Sequence, residues 1–274
     1  KRPISNPEIM RRALQYTSIW GRAILNHAQV PELVHGGMMH EGFQSTVLGL
    51  RGMPAAAEEI MVRRDIALAE TTGGRVHLMS ISSKRSIEEI RQAISREIKV
   101  SADVSPHHLL LTDECLADYD TNCKVDPPIR TEEHRQALIE GLQDGTISCI
   151  SSDHQPLSEE KKSLELDHAP FGIAGLETVL PLCVKALITP GYLDWSKLIS
   201  KLTVGPAELL GLASGTLKPG SPADVTLFHP EEAWSIDTSQ FQSKSHNNPF
   251  DGMSVQGRVK YTIVAGEILF TGNS

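Results

Sequence analysis

The sequence predicts an α/β fold: a parallel sheet with its helices, followed by a small β subdomain. Three observations predict it. Short apolar strands alternate with helical stretches, and that βαβα order gives a parallel sheet. Only four such strands are visible, whereas a closed (β/α)8 barrel needs eight and usually about 250 residues. Near Ser214 the pattern changes to turn residues and period-two alternation. The expected division is a partial barrel over 1–213 and a β subdomain over 214–274.

The elements follow in order. "EIMRRALQYTSIWG" (8–21) reads as a helix and "RAILNH" (22–27) as a strand ending in His27. A glycine-rich loop, "HGGMMHEGFQST", comes next. "PAAAEEIMVRRDIALAETTGG" has proline near a helix start and two glycines after its end, with Glu59 and Arg63 spaced to pair at i,i+4. "RVHLMSIS" (75–82) is the second strand, and Ile87, Ile90, Ile94 and Ile98 then recur at helical spacing. "KVSADVS" is the third strand, and "PHHLLLTDE" leaves it as an extended segment. "TEEHRQALIEGLQDG" is a helix stopped by glycine. "TISCISSDH" is the fourth strand, ending in Asp153 and His154, and helices resume around 177–189 and 195–212. Strands near 22–27, 75–82, 98–104 and 147–153 should therefore lie parallel and adjacent. In the tail, Val225 and Leu227 alternate after "GTLKPGSPAD", and "VQGRVKYTIVAGEILF" alternates again with Gly266 in a turn.

Composition narrows the function. The 274 residues are 40% hydrophobic and 22% charged, an ordinary soluble balance. The net charge of -8 argues against nucleic acid, whose phosphates need a basic face. No apolar run approaches the ~20 residues that span a membrane. Cys115, Cys123, Cys149 and Cys183 form no C-x-x-C pair, so reduced cysteines in a cytoplasmic protein are expected, not a disulfide framework or structural zinc.

Three strand ends carry groups of interest: His27, Ser80 and Asp153. In a parallel barrel those ends face the active site. A neutral imidazole and a carboxylate at neighbouring strand ends suit zinc. Zinc would bring a bound water's pKa toward ~7, and a free carboxylate oxygen could take its proton. Each residue alone has a plainer reading, a structural histidine or an aspartate capping a turn. His107 and His108, adjacent on an extended segment, would point to opposite faces and cannot share a metal. "EEKK" (159–162) reads as a solvated charge run, and the paired glycines at 36–37 fit no phosphate-binding pattern.

Several stretches together resemble the hydantoinase-related class of dihydroorotases in the amidohydrolase superfamily. They include "LNHAQ", "GGMMHEG", "HHLLLTDE", "NCKVDPPIRT", "SSDHQP", "APFGIAGLET", "LTVGPAELLGL", "GTLKPGSPADVTLF" and "NNPFDG", in family order through nearly the whole chain. The resemblance implies zinc-dependent interconversion of carbamoyl-aspartate and dihydroorotate, the third step of pyrimidine synthesis. It implies that the chain is the C-terminal half of a (β/α)8 TIM-like barrel, strands five to eight, plus the β subdomain. His27 matches a zinc-binding histidine, and Asp153 the aspartate that binds zinc and acts as general base. Asn122 matches a substrate-contacting asparagine, and Phe171 and Gly172 the segment holding the dihydroorotate ring through its backbone.

The departures from the family are specific. Ser80 stands where a second zinc histidine is usual, and Leu157 where a histidine binds substrate. Asp126 stands in place of asparagine or serine, and the remaining zinc ligands of the family would precede Lys1. An incomplete or impaired enzyme is expected. The alternative is a non-catalytic structural partner, most plausibly of aspartate transcarbamoylase; hydantoinase or allantoinase fits less well because of "APFGIAGLET". An oligomer is expected.

Overall fold

The computed structural model describes residues 3–272. Its principal sheet has four parallel strands, β1 (Ala23–Asn26), β4 (Arg75–Leu78), β5 (Val100–Val104) and β6 (Cys149–Ile150), in the order β1-β4-β5-β6. The four strands expected from the alternation are therefore parallel and adjacent, with β6 shorter than its apolar run. Two short strands between them, β2 (Met39–His40) and β3 (Gly52–Met53), pair parallel with each other inside the glycine-rich excursion.

Local chemistry sets the helices that cover this sheet. Asn6 caps the helix Pro7–Ser18, its side chain accepting from the Glu8 and Ile9 amides at 2.9 and 3.1 Å. Met10 and Leu14, one turn apart, are buried on that helix's inner face. The helix Ala56–Thr72 ends at Gly73 in the left-handed conformation. Ile87 and Ile90 of the helix Lys84–Ser95 are buried as their spacing requires, whereas Ile94 is exposed. Arg63 does not pair with Glu59. It reaches Glu89 on the next helix at 2.5 Å, while Glu59 accepts from the Ser83 hydroxyl at 2.6 Å. Packing of the two helices outweighs the exposed i,i+4 pair.

The two faces of the sheet differ. Ile24, Val76 and Val100 share one register row and belong to the main apolar core with Val62, Ile66, Leu78 and Ile90. The adjacent row, Leu25, His77 and Ser101, faces the other way. There Leu25 is 43% exposed, on the edge strand β1, whereas His77 beside it is buried.

The tail forms an antiparallel sheet of β7 (Val225–Ser235), β8 (Ser254–Val264) and β9 (Glu267–Thr271). It docks through Ile236, Phe250 and Val255, which pack with Leu182 of the helix Val179–Cys183. The helical stretch 177–189 continues from that helix as one π-turn, Val184–Ile188, and the stretch 195–212 breaks at Thr203 into two helices. No helix among the described residues is long and apolar enough to cross a membrane.

Candidate active site at the C-terminal end of the sheet

His27 follows β1 directly, Ser80 lies just beyond β4, and Asp153 just beyond β6, so all three belong to one end of the sheet. Ser80 and Asp153 adopt left-handed backbone conformations at φ 53° and 44°, which for non-glycine residues costs about 1–3 kcal/mol and concentrates at functional positions. What holds Ser80 there is Asp103, on β5. Its carboxylate accepts from the Ser80 amide at 3.0 Å, the Ser151 hydroxyl at 2.5 Å and His77 Nε2 at 2.9 Å. Burial pushes Asp103 upward, but these bonds outweigh it and hold the carboxyl below the usual range. His77 Nδ1 in turn meets the Ser101 hydroxyl at 2.8 Å. Asp153 Oδ1 accepts from Gln155 Nε2 at 3.1 Å.

His27 is 7% exposed, and both its ring nitrogens are buried without a hydrogen-bond partner. The nearest charge is Asp126, whose Oδ1 lies 3.5 Å from His27 Nε2 and is held by Gln29 Nε2 at 2.7 Å. The excursion between β5 and β6 has thus carried Asp126 across the sheet to the end of β1. Asn122, on the same excursion, also buries its side-chain oxygen without a partner. Buried polar atoms in folded proteins are almost always bonded, so orphans call for an explanation. Among the described residues, three of the few such atoms belong to two residues that the resemblance assigns to zinc or substrate.

The second half of the site is a loop clasp. Gly172 has φ 141° and lies so close to Gln155 that a Cβ there would sit 2.6 Å from the Gln155 Cβ, so only glycine fits. Its amide donates to the Lys124 carbonyl at 2.9 Å, and its carbonyl accepts from Asn247 Nδ2 at 3.0 Å. Asn247 also accepts from the Leu157 amide at 3.1 Å and donates to the Gln155 carbonyl at 3.1 Å. Leu157 is therefore brought beside Gly172.

Sequence reasoning missed three things here. Lys162, expected in a solvated run, is 7% exposed. His107 and His108 lie on a short helix, Pro106–Leu110, with ring centroids 4.6 Å apart, and both meet the Ser105 hydroxyl, at 2.8 and 2.7 Å. The extended reading, and its opposite-faces argument, is corrected by that helix. The third is a buried pair, Glu58 and Arg130. Glu58 accepts from the Ser82 and Ser83 amides at 3.2 and 3.0 Å, and Arg130 donates to the Ser82 hydroxyl at 2.8 Å and to His40 Nδ1 at 3.1 Å. Burial, then the Arg130 charge, pushes His40 down to about 3. A buried Glu inside a helix and an Arg 72 residues away give no local signal; only the fold pairs them.

As a metal site the arrangement is partial. The orphaned imidazole of His27 suits a metal ligand, but among the described residues no group of three or more His, Cys, Asp or Glu is placed to hold an ion. Ser80, with its amide committed to Asp103, does not add an imidazole or a carboxylate.

These strand ends lie on a parallel α/β sheet, and comparison with known proteins gives the chain a family. The chain belongs to the amidohydrolase family, which it matches over residues 1–269. Its curated relatives include the dihydroorotase of Pelotomaculum thermopropionicum, 46% identical over 97% of this chain and 62% of that protein. The dihydroorotase of Acetivibrio thermocellus is 44% identical over 98% of this chain and 63% of its own length. The chain thus spans less than two thirds of the relatives it matches. Among solved structures, L-hydantoinase from Arthrobacter aurescens superposes with a TM-score of 0.89 at 27% identity, covering 98% of this chain and 61% of that one. Dihydropyrimidinase from Brevibacillus agri superposes at 0.84 with 21% identity over 97% and 60%, a likeness of fold.

Proposed function

We propose that this chain carries part of a dihydroorotase site, one that opens the cyclic amide of dihydroorotate to carbamoyl-aspartate and closes it again. The observation that carries this reading is a set of three buried side-chain atoms without a hydrogen bond, both ring nitrogens of His27 and the oxygen of Asn122, at the two positions where ligand is expected. In this reading His27 and Asp153 hold a metal, and a buried imidazole with a carboxylate suits zinc. When bound, zinc supplies a polarised amide carbonyl and an acidified water. Asp153 takes the proton of the attacking water. Asn122 donates to or accepts from the ring edge. Gly172, both of whose backbone groups are engaged within the protein, fixes Phe171 so that the latter's backbone meets the ring.

The same reading makes the site impaired. Ser80 offers zinc no imidazole, and Leu157 offers substrate no hydrogen bond. In this reading residues 1–213 are an open half-barrel joined to a β subdomain at 214–274, and Leu25, exposed on the edge strand β1, lies where a further strand, a second chain or an oligomer contact would cover it. The free cysteines suit a cytoplasmic setting. A second reading, a non-catalytic structural partner of aspartate transcarbamoylase, is favoured by Ser80 and Leu157.

The test is dihydroorotate ring opening and zinc content of the complete parent protein and of its Ser80→His variant. The enzyme reading expects weak turnover that rises with zinc, and higher zinc content in the variant. Activity should recover less than metal does, since Leu157 still lacks a polar contact, on the order of 1–3 kcal/mol. Neither zinc nor turnover in either protein, with co-elution with aspartate transcarbamoylase, would establish the second reading instead.

A further inference from the structure

Two lysines lie buried beside the loop clasp, and neither counts a carboxylate among its hydrogen-bond partners. Lys162 Nζ donates to the carbonyls of Thr121 at 2.6 Å, Pro170 at 3.2 Å and Gly172 at 3.2 Å. Lys124, 3% exposed, donates to the carbonyls of Leu166 at 2.5 Å and Ala169 at 2.7 Å, with Asp167 O at 3.4 Å. Its ammonium also lies 4.7 Å from the centre of the Phe171 ring, within cation–π range. Burying an ammonium ion is costly unless it is fully bonded. Burial accordingly pushes Lys162 down to about 8, and Lys124 downward too. A lysine needed only for solubility would not be placed so.

The bonds have a pattern. Each ammonium ties one turn to another: Lys162 joins Thr121 to Pro170 and Gly172, and Lys124 joins its own turn to Leu166 and Ala169. Asn122 sits between Thr121 and Lys124; Phe171 sits between Pro170 and Gly172. We propose that Lys124 and Lys162 are positioning residues that lock the Asn122 turn against the Phe171–Gly172 turn. This deepens the reading above and rests on it for the identity of the ligand. A carbonyl cage around a point charge suits lysine, because three tetrahedral donors meet three separate oxygens. The exposed neighbour Lys161 makes no such cage and serves as the control.

The experiment compares the full chain with Lys162→Met, Lys124→Met and Lys161→Met. Amide hydrogen exchange is followed at 121–124, 170–173 and in β4 and β5, and dihydroorotate affinity is measured on the same samples. Loss of a charge-assisted brace should speed exchange at 121–124 and 170–173 together by roughly tenfold or more, leaving β4 and β5 unchanged, and weaken dihydroorotate by roughly tenfold. Lys161→Met should do neither. Exchange that changes in only one segment, or rises equally in β4 and β5, overturns the proposal. So does a wild-type chain that binds dihydroorotate measurably but no more tightly than Lys162→Met does. A wild-type chain that binds no dihydroorotate, while both segments still loosen together, keeps the brace and removes the substrate. Should Lys162→Met fail to fold, Lys162→Arg, which keeps the charge but not the point geometry, is read by the same measurements and the same outcomes.

Discussion

Glu58–Arg130 and His27–Asn122 both bury polar side-chain atoms at the same end of the molecule, yet they are finished differently. Around Glu58 every charge meets a donor or acceptor, from Ser82, Ser83, Arg130 and through Arg130 to His40. At His27 and Asn122 three side-chain atoms meet none. A satisfied buried network is explained by the fold it holds together. An unsatisfied one has a cost that the fold alone does not offset, and that difference separates architecture from ligand site in this chain.

The comparison can be broken most sharply at Arg130. Arg130→Met removes one partner of a buried pair and leaves Glu58 charged and unpaired, so denaturant unfolding should show a loss of about 3–5 kcal/mol. A loss below about 1 kcal/mol would place the pair outside the structural class. Asp103→Asn should come next, at about 2–3 kcal/mol, since the Ser80 amide, His77 and Ser151 lose a charged acceptor. If Asp103 also fixes Ser80, the β4–helix junction should exchange amides faster in that variant.

How much of this was legible in sequence depends on the range of the signal. Strand order, helix ends and the strand-end residues His27, Ser80 and Asp153 could be read because period and punctuation are local. Asp103 sat inside the third predicted strand, yet nothing nearby marks it as the acceptor for Ser80, twenty-three residues away. Lys162 misled for a similar reason. In "EEKK" it looks like its exposed neighbours, and only the return of the chain at Pro170 and Gly172 buries it. The i,i+4 pair of Glu59 and Arg63 failed because a neighbouring helix offered Glu89.

A smaller effect sharpens the comparison through pH. His40 has its pKa lowered to about 3 in the folded chain, against an ordinary value of 6.5. Between those values the unfolded chain binds a proton that the folded chain refuses. This contribution to stability is therefore full above pH 6.5 and lost progressively as pH falls toward 3. His40→Gln, which cannot titrate, should flatten the acid side of a stability–pH curve; an unchanged slope would remove His40 from the network's acid response.

The smallest effect is expected at His27. No hydrogen bond is lost in His27→Leu, so the melting curve should move by less than about 1 kcal/mol in either direction, with any zinc uptake abolished. A loss as large as that of Arg130→Met would show His27 to be architectural after all.

The Asn247 clasp has a consequence for the order in which the molecule is made. Asn247 ties Leu157 and Gly172 across sequence separations of 90 and 75 residues. Contacts of such long separation form late, because the loop must close before it is rewarded. On the ribosome the β1–β4–β5 sheet is complete while the residue that sets Gly172 has yet to be synthesised. The ligand-facing loops should therefore be the last part of this chain to acquire protection in pulsed hydrogen exchange, after the sheet beneath them has already formed.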